Sequence, residues 1–294
     1  MKAAVDIGTN SMRLMIVDDR GAEVGRWARV TRLGKGVDAG GRLSDDAIDR
    51  TVEVLSDYGG LMRTHRVERA RAVATSASRD ASNREEFFDR AEEVLGIRPE
   101  VIPGIEEAEL SYRGATEGVS AQGPLVVVDI GGGSTEFVFE HHGDVVGTSV
   151  EIGSVRLTDR MDLEERPVEF DRLDEASRLV ESIISEAPIP EHIETVIGVA
   201  GTWTSLSAIA QDLPSYDRDR VHESALGRTA LDRMVLRLAA LTVEETGRLP
   251  ALDPARAPVL LGGAIVAREV MRMLKVDQVI VSEHDLLDGV VAEL

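Results

Sequence analysis

The sequence lacks cysteine, and it also lacks any long apolar segment. Without cysteine the chain has no disulfide bond, no thiolate metal site and no cysteine nucleophile, a composition typical of a reducing compartment. No uninterrupted apolar run approaches the ~20 residues that a membrane-spanning helix needs. A predicted strand begins at Lys2, so we expect no signal peptide before it. These absences predict a cytoplasmic protein with no membrane partner.

Positive charge is scarce as well. Lysine and arginine together number 33 against 53 acidic residues, and the formal net charge is −20. Such an excess of negative charge argues against nucleic acid as a partner. Lys2, Lys35 and Lys275 are the only lysines, so nearly all cations are guanidinium groups, which suit bidentate contacts with phosphate. Because arginines cluster in residues 26–35 and 63–79, we expect a basic lining within an acidic shell.

Residues 125–136, LVVVDIGGGSTE, combine a β-branched run with two acids, three glycines and two hydroxyl side chains. The β-branched run predicts a strand that is buried on both faces. Asp129 interrupts that strand, and a buried acid requires a partner. The glycines allow main-chain amides to approach a ligand closely. Such a loop can bind phosphate through its amides, and the carboxylates of Asp129 and Glu136 can bind a hard cation.

A similar segment occurs near the start of the chain, where residues 3–11 are AAVDIGTNS. Asp6 and Asp129 are 123 residues apart, about the length of one domain. A third strand-to-loop junction, GVAGT, follows at residues 198–202. In an open α/β sheet, loops at the carboxyl ends of the strands form the ligand crevice. The repeated Asp-Ile-Gly loops therefore predict a duplicated fold with a phosphate-bearing ligand between its halves.

The order of the predicted strands and helices also indicates a duplicated α/β unit. In the first half we predict strands at 2–8, 12–18, 23–31, 70–74 and 99–102, and helices starting after Ser44 and at 83–95 and 105–116. In the second half we predict strands at 125–129, 135–140, 145–150, 195–199 and 279–282, and helices at 171–185, 204–211, 228–238, 264–273 and 286–293. Residues 33–42 are expected to be a mobile glycine-rich loop, and residues 158–172 a solvated charged connector.

We place the boundary between the halves within residues 120–124. This boundary gives an N-terminal domain of residues 1–123 and a C-terminal domain of residues 124–294. The last predicted helix, 286–293, is a candidate to pack back on the first domain.

Taken in order, DIGTNS, DIGGGSTE and GVAGT resemble the phosphate and nucleotide loops of the actin-like, sugar-kinase and Hsp70-type superfamily. More specifically, the chain resembles the exopolyphosphatase / guanosine pentaphosphate phosphohydrolase (Ppx/GppA) family over nearly all of its length. Six segments carry the resemblance, at residues 4–13, 74–79, 104–110, 128–136, 200–202 and 281–283. The resemblance implies an α/β fold with a duplicated actin-like (RNase H-like) ATPase unit, two domains and a cleft between them.

The resemblance also implies the roles of Glu107 and Arg79. Glu107 would be the catalytic base that takes a proton from the water attacking a terminal phosphoryl group. Arg79 would bind the transferred or the adjacent phosphoryl group and stabilise its charge. Glu106 and Glu107 would point about 100° apart on a helix, so that only one can face the cleft. We expect Glu106 simply to favour the helix N-terminus electrostatically.

Further residues are implied to bind metal and phosphate. Asp129 and Glu136, with Asp6 as a third candidate, would hold Mg²⁺, and Glu136 could instead orient the water. The implied phosphate-binding residues are Gly8, Thr9, Asn10, Ser11, Arg13, Gly131, Gly132, Gly133, Ser134, Thr135, Gly201 and Thr202.

Three other features have weaker functional interpretations. His141 and His142 precede a glycine in a predicted hairpin, where a solvated turn is favoured over a metal site. His284 follows a family motif, and we expect it to have a structural role. Trp203 departs from the small residue common after Gly-Thr in such loops. It could either narrow a nucleotide pocket or pack on the sheet.

The function implied by the resemblance is Mg²⁺-dependent hydrolysis of the terminal phosphoanhydride of inorganic polyphosphate. An alternative in the same class is hydrolysis of guanosine pentaphosphate. A small-molecule kinase of the same superfold is more distant, because no acceptor base or adenosine loop can be identified. A non-catalytic sensor is disfavoured by the presence of Glu107, Asp129 and Glu136. A homodimer is possible and would have to be built from these two domains.

Overall fold

The computed structural model describes residues 1–117, 119, 123–190 and 192–294. The first half of the chain forms a five-stranded sheet. Its strands are β1 (Lys2–Ile7), β2 (Ser11–Val17), β3 (Glu23–Val30), β4 (Arg69–Ala74) and β5 (Glu100–Val101). The strand order is β3-β2-β1-β4-β5. Strands β1, β4 and β5 are parallel, and β2 is antiparallel to both of its neighbours. The carboxyl ends of β1 and β4 therefore lie at the same edge of the sheet.

The first half also contains five helices: α1 (Val37–Gly40), α2 (Asp45–Thr64), α3 (Ser76–Asp80), α4 (Arg84–Leu95) and α5 (Gly104–Thr116). Ser44 caps α2 as predicted, since its side chain accepts a hydrogen bond from the Ala47 amide. Helices α2 and α4 pack on one face of the first sheet around a buried apolar cluster that includes Leu55 and Phe87.

The second half repeats this arrangement in a six-stranded sheet. Its strands are β6 (Leu125–Ile130), β7 (Thr135–His141), β8 (Asp144–Val150), β9 (Thr195–Val199), β10 (Ser224–Gly227) and β11 (Gln278–Val281). The strand order is β10-β11-β9-β6-β7-β8, in which β6, β9 and β11 are parallel and β7 is antiparallel. Without β10, the sheet has the topology of the first sheet. The predicted duplicated α/β fold of the actin-like type is thereby confirmed.

The helices of the second half are α6 (Ser154–Arg160), α7 (Phe170–Ile184), α8 (Ala200–Ala210), α9 (Arg218–Val221), α10 (Arg228–Ala240), α11 (Val243–Gly247), α12 (Ala257–Met273) and α13 (Leu286–Ala292). A 3-10 turn, Pro254–Arg256, precedes α12. Helices α7, α8, α10 and α12 share the largest apolar cluster with one face of the second sheet. No helix in the described ranges combines the length and apolar character needed to cross a bilayer.

Helices α5 and α13 are exchanged between the halves. Helix α5 follows the first sheet in sequence, yet its Ala108, Tyr112 and Ala115 pack on the second sheet. Helix α13 follows the second sheet, yet its Leu287 and Val290 pack on β1, β2 and β4 of the first sheet. Each half thus receives one helix from the other.

The two exchanged helices cross in close contact. A Cβ at Gly114 of α5 would overlap the carbonyl oxygen of Asp285, and one at Gly289 of α13 would overlap that of Leu110. Glycine is required at both positions, because the backbones leave no space for a side chain. The crossing fixes the second half of α5 relative to the start of α13.

The structure differs from the predicted elements at several places. The segment predicted to be a solvated connector, 158–172, contains the end of α6, and the predicted mobile loop, 33–42, contains α1. Helix α8 begins four residues before its predicted start, α12 begins seven residues before, and β10 was not predicted. The predicted domain boundary, 120–124, lies partly outside the described residues, which resume at residue 123.

Candidate active site

A cleft of about 490 Å³ lies between the two sheets, at the carboxyl ends of the central strands. It brings together most of the predicted site residues. The predicted residues that line it are Asp6, Gly8, Thr9, Asn10, Ser11, Arg13, Glu107, Asp129, Gly131, Gly132, Gly133, Ser134, Gly201 and Thr202. Arg79, Thr135 and Glu136 do not line it. Residues from all three predicted loops therefore face one another across a single cleft.

The two glycine-containing loops touch each other. Residues 131–134, here called the phosphate loop, close on themselves through a hydrogen bond from the Gly131 amide to the Ser134 carbonyl. A Cβ at Gly132 would lie 2.8 Å from the Cβ of Thr9, and one at Gly133 would overlap the Ser76 hydroxyl. Within the described residues, the amides of Gly132, Gly133 and Ser134 donate to no backbone acceptor. Three successive N–H groups of this kind form a cradle for an anion.

Glu107 lies in the wall of the cleft, in the first turn of α5, and is 7% exposed. Burial raises the pKa of its carboxyl to about 7, although the nearby Arg79 lowers it. Glu106 instead forms an ion pair with Arg71, at 2.5 Å. As predicted, only one of the two glutamates faces the cleft.

Arg79 makes a different contact from the predicted one. Its Nη1 donates to Oε2 of Glu107 at 2.7 Å and to the Ile102 carbonyl at 3.1 Å. The guanidinium lies behind Glu107 and does not line the cleft, and its contact with a phosphoryl group stays a prediction. Its Nη2 is buried without a partner in the described part of the chain. The observed role of Arg79 is to hold the Glu107 carboxylate.

Asp129 and Glu136 are directly opposite each other on β6 and β7. Asp129 lines the cleft and accepts a hydrogen bond from the Ser111 hydroxyl at 2.8 Å. Burial, and then the charge of Asp285, raise its pKa to about 6. Glu136 is fully buried and accepts from the Ser149 hydroxyl at 2.7 Å. Burial, together with the like charges of Glu107 and Asp129, raises the Glu136 pKa well above its usual value.

The equivalent pair in the first half has opposite charges. Asp6 lies opposite Arg13 on β1 and β2, and Nε of Arg13 donates to Asp6 Oδ2 at 2.7 Å. Nη1 of Arg13 also bonds Asp285, the residue that caps α13. The other oxygen of Asp6, Oδ1, is buried without a partner in the described residues. Asp285 was not predicted as a site residue, although the Asp-x-x-Asp capping pattern marks the start of α13.

The predicted set of three metal-binding carboxylates is not present as a cluster. Among the residues that the structure describes, no three His, Cys, Asp or Glu side chains converge to hold a metal ion. Glu136 lies behind Asp129 and outside the cleft wall, whereas Asp6 and Asp129 line it. Thr135 is also set back from the cleft, because its hydroxyl donates to the Ile152 carbonyl at 2.6 Å. Of the three predicted carboxylates, Asp6 and Asp129 are therefore the two that face the cleft.

The third loop contributes Gly201 and Thr202, whose hydroxyl donates to the Ile130 carbonyl at 3.0 Å. Trp203 packs on the sheet: it is fully buried, and a Cβ at Gly198 would lie 2.7 Å from its ring. Arg256 lies over Gly201 and has no side-chain partner among the described residues. No sequence pattern indicated Arg256, which follows Gly201 by 55 residues on another element.

The predicted basic lining is wrong for most of the clustered arginines. Of the cations in residues 26–35, Arg26 alone lines the cleft, and no cation of residues 63–79 does. The other arginines of the cleft wall are Arg13, Arg218 and Arg256. Seven acids line the same cleft: Asp6, Glu23, Glu107, Asp129, Asp253, Glu283 and Asp285. Seven acids against four arginines leave a formal charge of −3. The cleft is therefore acidic before any ligand or cation binds.

The histidines have structural surroundings. His141 and His142 stack on each other in the exposed β7–β8 turn, with ring centroids 4.1 Å apart. His284 bonds Asp288 at 2.9 Å, and its ring contacts that of His222. The hydrogen bond that His284 donates to the Asp288 carboxylate raises the pKa of His284.

Comparisons with known proteins agree with this fold. The family model for the Ppx/GppA phosphatase family matches residues 15–294. Exopolyphosphatase 2 of Mycobacterium tuberculosis is 45% identical, over 99% of this chain and 98% of that protein. The crystal structure of an exopolyphosphatase-like protein superposes with a TM-score of 0.94 at 39% identity, covering 99% of this chain and 98% of its own. For the Aquifex aeolicus Ppx-GppA enzyme the TM-score is 0.81 at 32% identity, with coverage of 100% and 99%. With sequence pattern and fold matched over nearly its whole length, the chain belongs to the Ppx/GppA phosphatase family.

Proposed function

We propose that this protein is an exopolyphosphatase, which hydrolyses the terminal phosphoanhydride of inorganic polyphosphate and releases orthophosphate. The observation that carries the proposal is the position of Glu107, a buried carboxylate in a cleft that two glycine loops also line. The similarity to a relative named exopolyphosphatase 2 supports the choice of substrate.

The loops would hold the terminal phosphoryl group. The free amides of the phosphate loop, with the hydroxyls of Thr9 and Ser11 on the opposite side, are donors suited to phosphate oxygens. Arg256, which has no competing acid bound to it within the described residues, would bind the adjoining phosphates of the chain. Such donors stabilise the charge that phosphoryl transfer spreads over the equatorial oxygens.

Glu107 would act as the general base. The oxygen of water bonds to the terminal phosphorus as its proton moves to Glu107, and the bond to the bridging oxygen breaks. The shortened chain leaves with the negative charge of that oxygen. A base functions best when its pKa lies near the working pH, and burial raises the pKa of Glu107 to about 7. Arg79 would hold the carboxylate in place for this step.

Asp6 and Asp129 fit Mg²⁺. They are oxygen donors in the cleft wall, and Oδ1 of Asp6 is buried without a partner in the described residues. Mg²⁺ takes one or two protein carboxylates and keeps several waters, so two acids suffice. When bound, the ion would neutralise charge on the phosphate oxygens. A cytoplasmic location and a homodimer are further expectations of this proposal.

The proposal is tested by comparing substrates side by side. Purified protein with Mg²⁺ and no acceptor is given either inorganic polyphosphate or guanosine pentaphosphate, and orthophosphate release is measured. We expect kcat/KM to be larger for polyphosphate. Faster release from guanosine pentaphosphate would overturn the choice of substrate, and release only after adding an alcohol or carboxylate acceptor would indicate a kinase.

A further inference from the structure

The carbonyls of the phosphate loop accept hydrogen bonds from the start of α6, which belongs to the same half of the chain. The Gly131 carbonyl accepts from the Ser154 amide at 3.0 Å, and the Gly132 carbonyl accepts from the Val155 amide at 2.8 Å. In a trans peptide the C=O and N–H groups point in opposite directions. Carbonyls fixed toward α6 therefore direct the following amides away from α6, on the side where the loop lines the cleft.

The third of these carbonyls is held by a side chain. Nε of Arg156 donates to the Gly133 carbonyl at 2.7 Å, so this bond fixes the Gly133–Ser134 peptide. The remaining nitrogens of Arg156 reach into the first half of the chain. Nη1 pairs with Asp38 at 2.8 Å, while Nη2 pairs with Asp80 at 2.6 Å and donates to the Ser76 hydroxyl at 3.1 Å. Nη2 also pairs with Glu151 of the second half, at 2.8 Å. One guanidinium thus joins the phosphate loop to α1 and α3.

The equivalent loop in the first half has no such side chain. There the Gly34 amide donates to the Thr9 carbonyl at 2.8 Å, and the Thr31 amide donates to the Asn10 carbonyl at 3.0 Å. The duplication offset of 123 residues places Leu33 at the position of Arg156, and Leu33 is fully buried. The backbone support is shared by both halves, whereas the guanidinium support is specific to the phosphate loop.

We propose that Arg156 is a positioning residue that orients the Ser134 amide toward the substrate and makes this orientation depend on contact between the halves. The inference rests on the proposed function, because it assigns the phosphate loop to the reacting phosphoryl group. Arg156 itself touches neither substrate nor Glu107. Lysine cannot replace the planar guanidinium of Arg156. Nε must donate to a carbonyl while Nη1 and Nη2 bind acids on another element.

The test compares Arg156→Gln and Arg156→Lys with a matched control, Arg160→Gln. Arg160 lies one turn further along α6 and also binds Asp38, at 2.7 Å, but makes no contact with the phosphate loop. Two quantities are measured on the full chain: the Kd of inorganic tripolyphosphate by calorimetry in EDTA, and kcat for orthophosphate release from polyphosphate with Mg²⁺.

Both Arg156 variants should weaken tripolyphosphate binding about tenfold and lower kcat by about tenfold or more, since losing one oriented donor has effects of this order or larger. Arg160→Gln should change both by less than about twofold. Equal losses in Arg156→Gln and Arg160→Gln, or full activity in Arg156→Lys, would show that only charge between the halves matters and would overturn the proposal.

Two further outcomes are decisive. If wild-type protein releases no orthophosphate, the proposed function fails, while the difference in tripolyphosphate Kd between the two glutamine variants still decides the role of Arg156. If Arg156→Gln does not fold, Asp80→Asn replaces it, because Asp80 is exposed and binds Nη2 of Arg156. Asp80→Asn should then weaken tripolyphosphate binding at least about threefold, and unchanged binding would overturn the proposal.

Discussion

Asp6 and Asp129 occupy the same position in the two halves, but the residues opposite them have diverged. Arg13 neutralises Asp6, whereas Glu136 adds a second acid beside Asp129. The first half thus has a fixed ion pair, and the second half has a group of carboxylates with raised pKa values, to which Glu107 also belongs. Raised carboxyl pKa values are typical of sites that move protons.

Replacing Glu107 with Gln should abolish turnover and leave binding intact. We expect kcat on polyphosphate to fall at least about 100-fold, because general-base catalysis contributes about 10²–10⁴. The Kd for tripolyphosphate should change less than about threefold. Glu106→Gln is the control, since Glu106 binds Arg71 outside the cleft. Similar losses in the two variants would contradict the assignment of the base.

Arg79→Gln should shift the pH dependence of the reaction. Arg79 lowers the pKa of Glu107, so its removal should raise that pKa further. A base is inactive when protonated, and the acid limb of kcat/KM should therefore move to higher pH. Arg71→Gln, which removes the partner of Glu106, should leave the limb in place. If the acid limb of kcat/KM does not shift in Arg79→Gln, Arg79 does not control the pKa of the catalytic base.

Glu136→Gln should stabilise the protein at high pH. The folded-state pKa of Glu136 is raised above the usual 4.5 by burial, so stability is lost as the pH rises above that value. The loss is at most about 1.4 kcal/mol for each pH unit. In urea denaturation, the free energy of unfolding of Glu136→Gln should exceed that of wild type by more at pH ~8 than at pH ~5. Glu140→Gln, exposed on the same strand, should show no such trend; an equal gain at both pH values would exclude the titration of Glu136 as the cause.

At the scale of elements, the sequence predicted the strands better than the helices around the cleft. Strand β6 combines a β-branched run with a glycine loop, and it appears within one residue of its predicted bounds. Helix α6 was not predicted, because its seven residues show no apolar periodicity. Its first amides instead donate to glycine carbonyls of the phosphate loop. The loops of the cleft were predictable from local sequence, whereas Arg156 and Arg256 depend on contacts between distant segments.

Gly289→Ala should disrupt the crossing of α5 and α13. The added methyl group would overlap the Leu110 carbonyl, and such overpacking typically destabilises by about 1–3 kcal/mol. Activity should fall with it, because α5 carries Glu107. Gly60→Ala in α2 is the control: its Cβ would meet only Arg63, at 3.9 Å. That variant should be neutral or more stable by up to about 1 kcal/mol. A stable, fully active Gly289→Ala protein would show that the crossing tolerates a wider spacing.

At the scale of the whole molecule, a net charge of −20 and an acidic cleft oppose a polyanionic substrate. Divalent cations should therefore strengthen substrate binding as well as support catalysis. We expect tripolyphosphate to bind at least about tenfold more tightly with Mg²⁺ than with Na⁺ at equal ionic strength, a control that separates specific binding from screening. In Asp129→Asn, the difference in tripolyphosphate affinity between Mg²⁺ and Na⁺ should be smaller than in wild type. Equal affinity in the two salts would contradict a cation-assisted cleft.

The exchange of α5 and α13 has a consequence for biosynthesis. Leu287 and Val290 complete the core beneath β1, so this strand stays unfinished until α13 has also been synthesised. A protein cut between its halves should yield two fragments that each expose a bare sheet face and gain structure only on mixing. The cleft would then be completed only after α13 has been made, and nascent chains truncated before Leu286 should be inert and prone to aggregate.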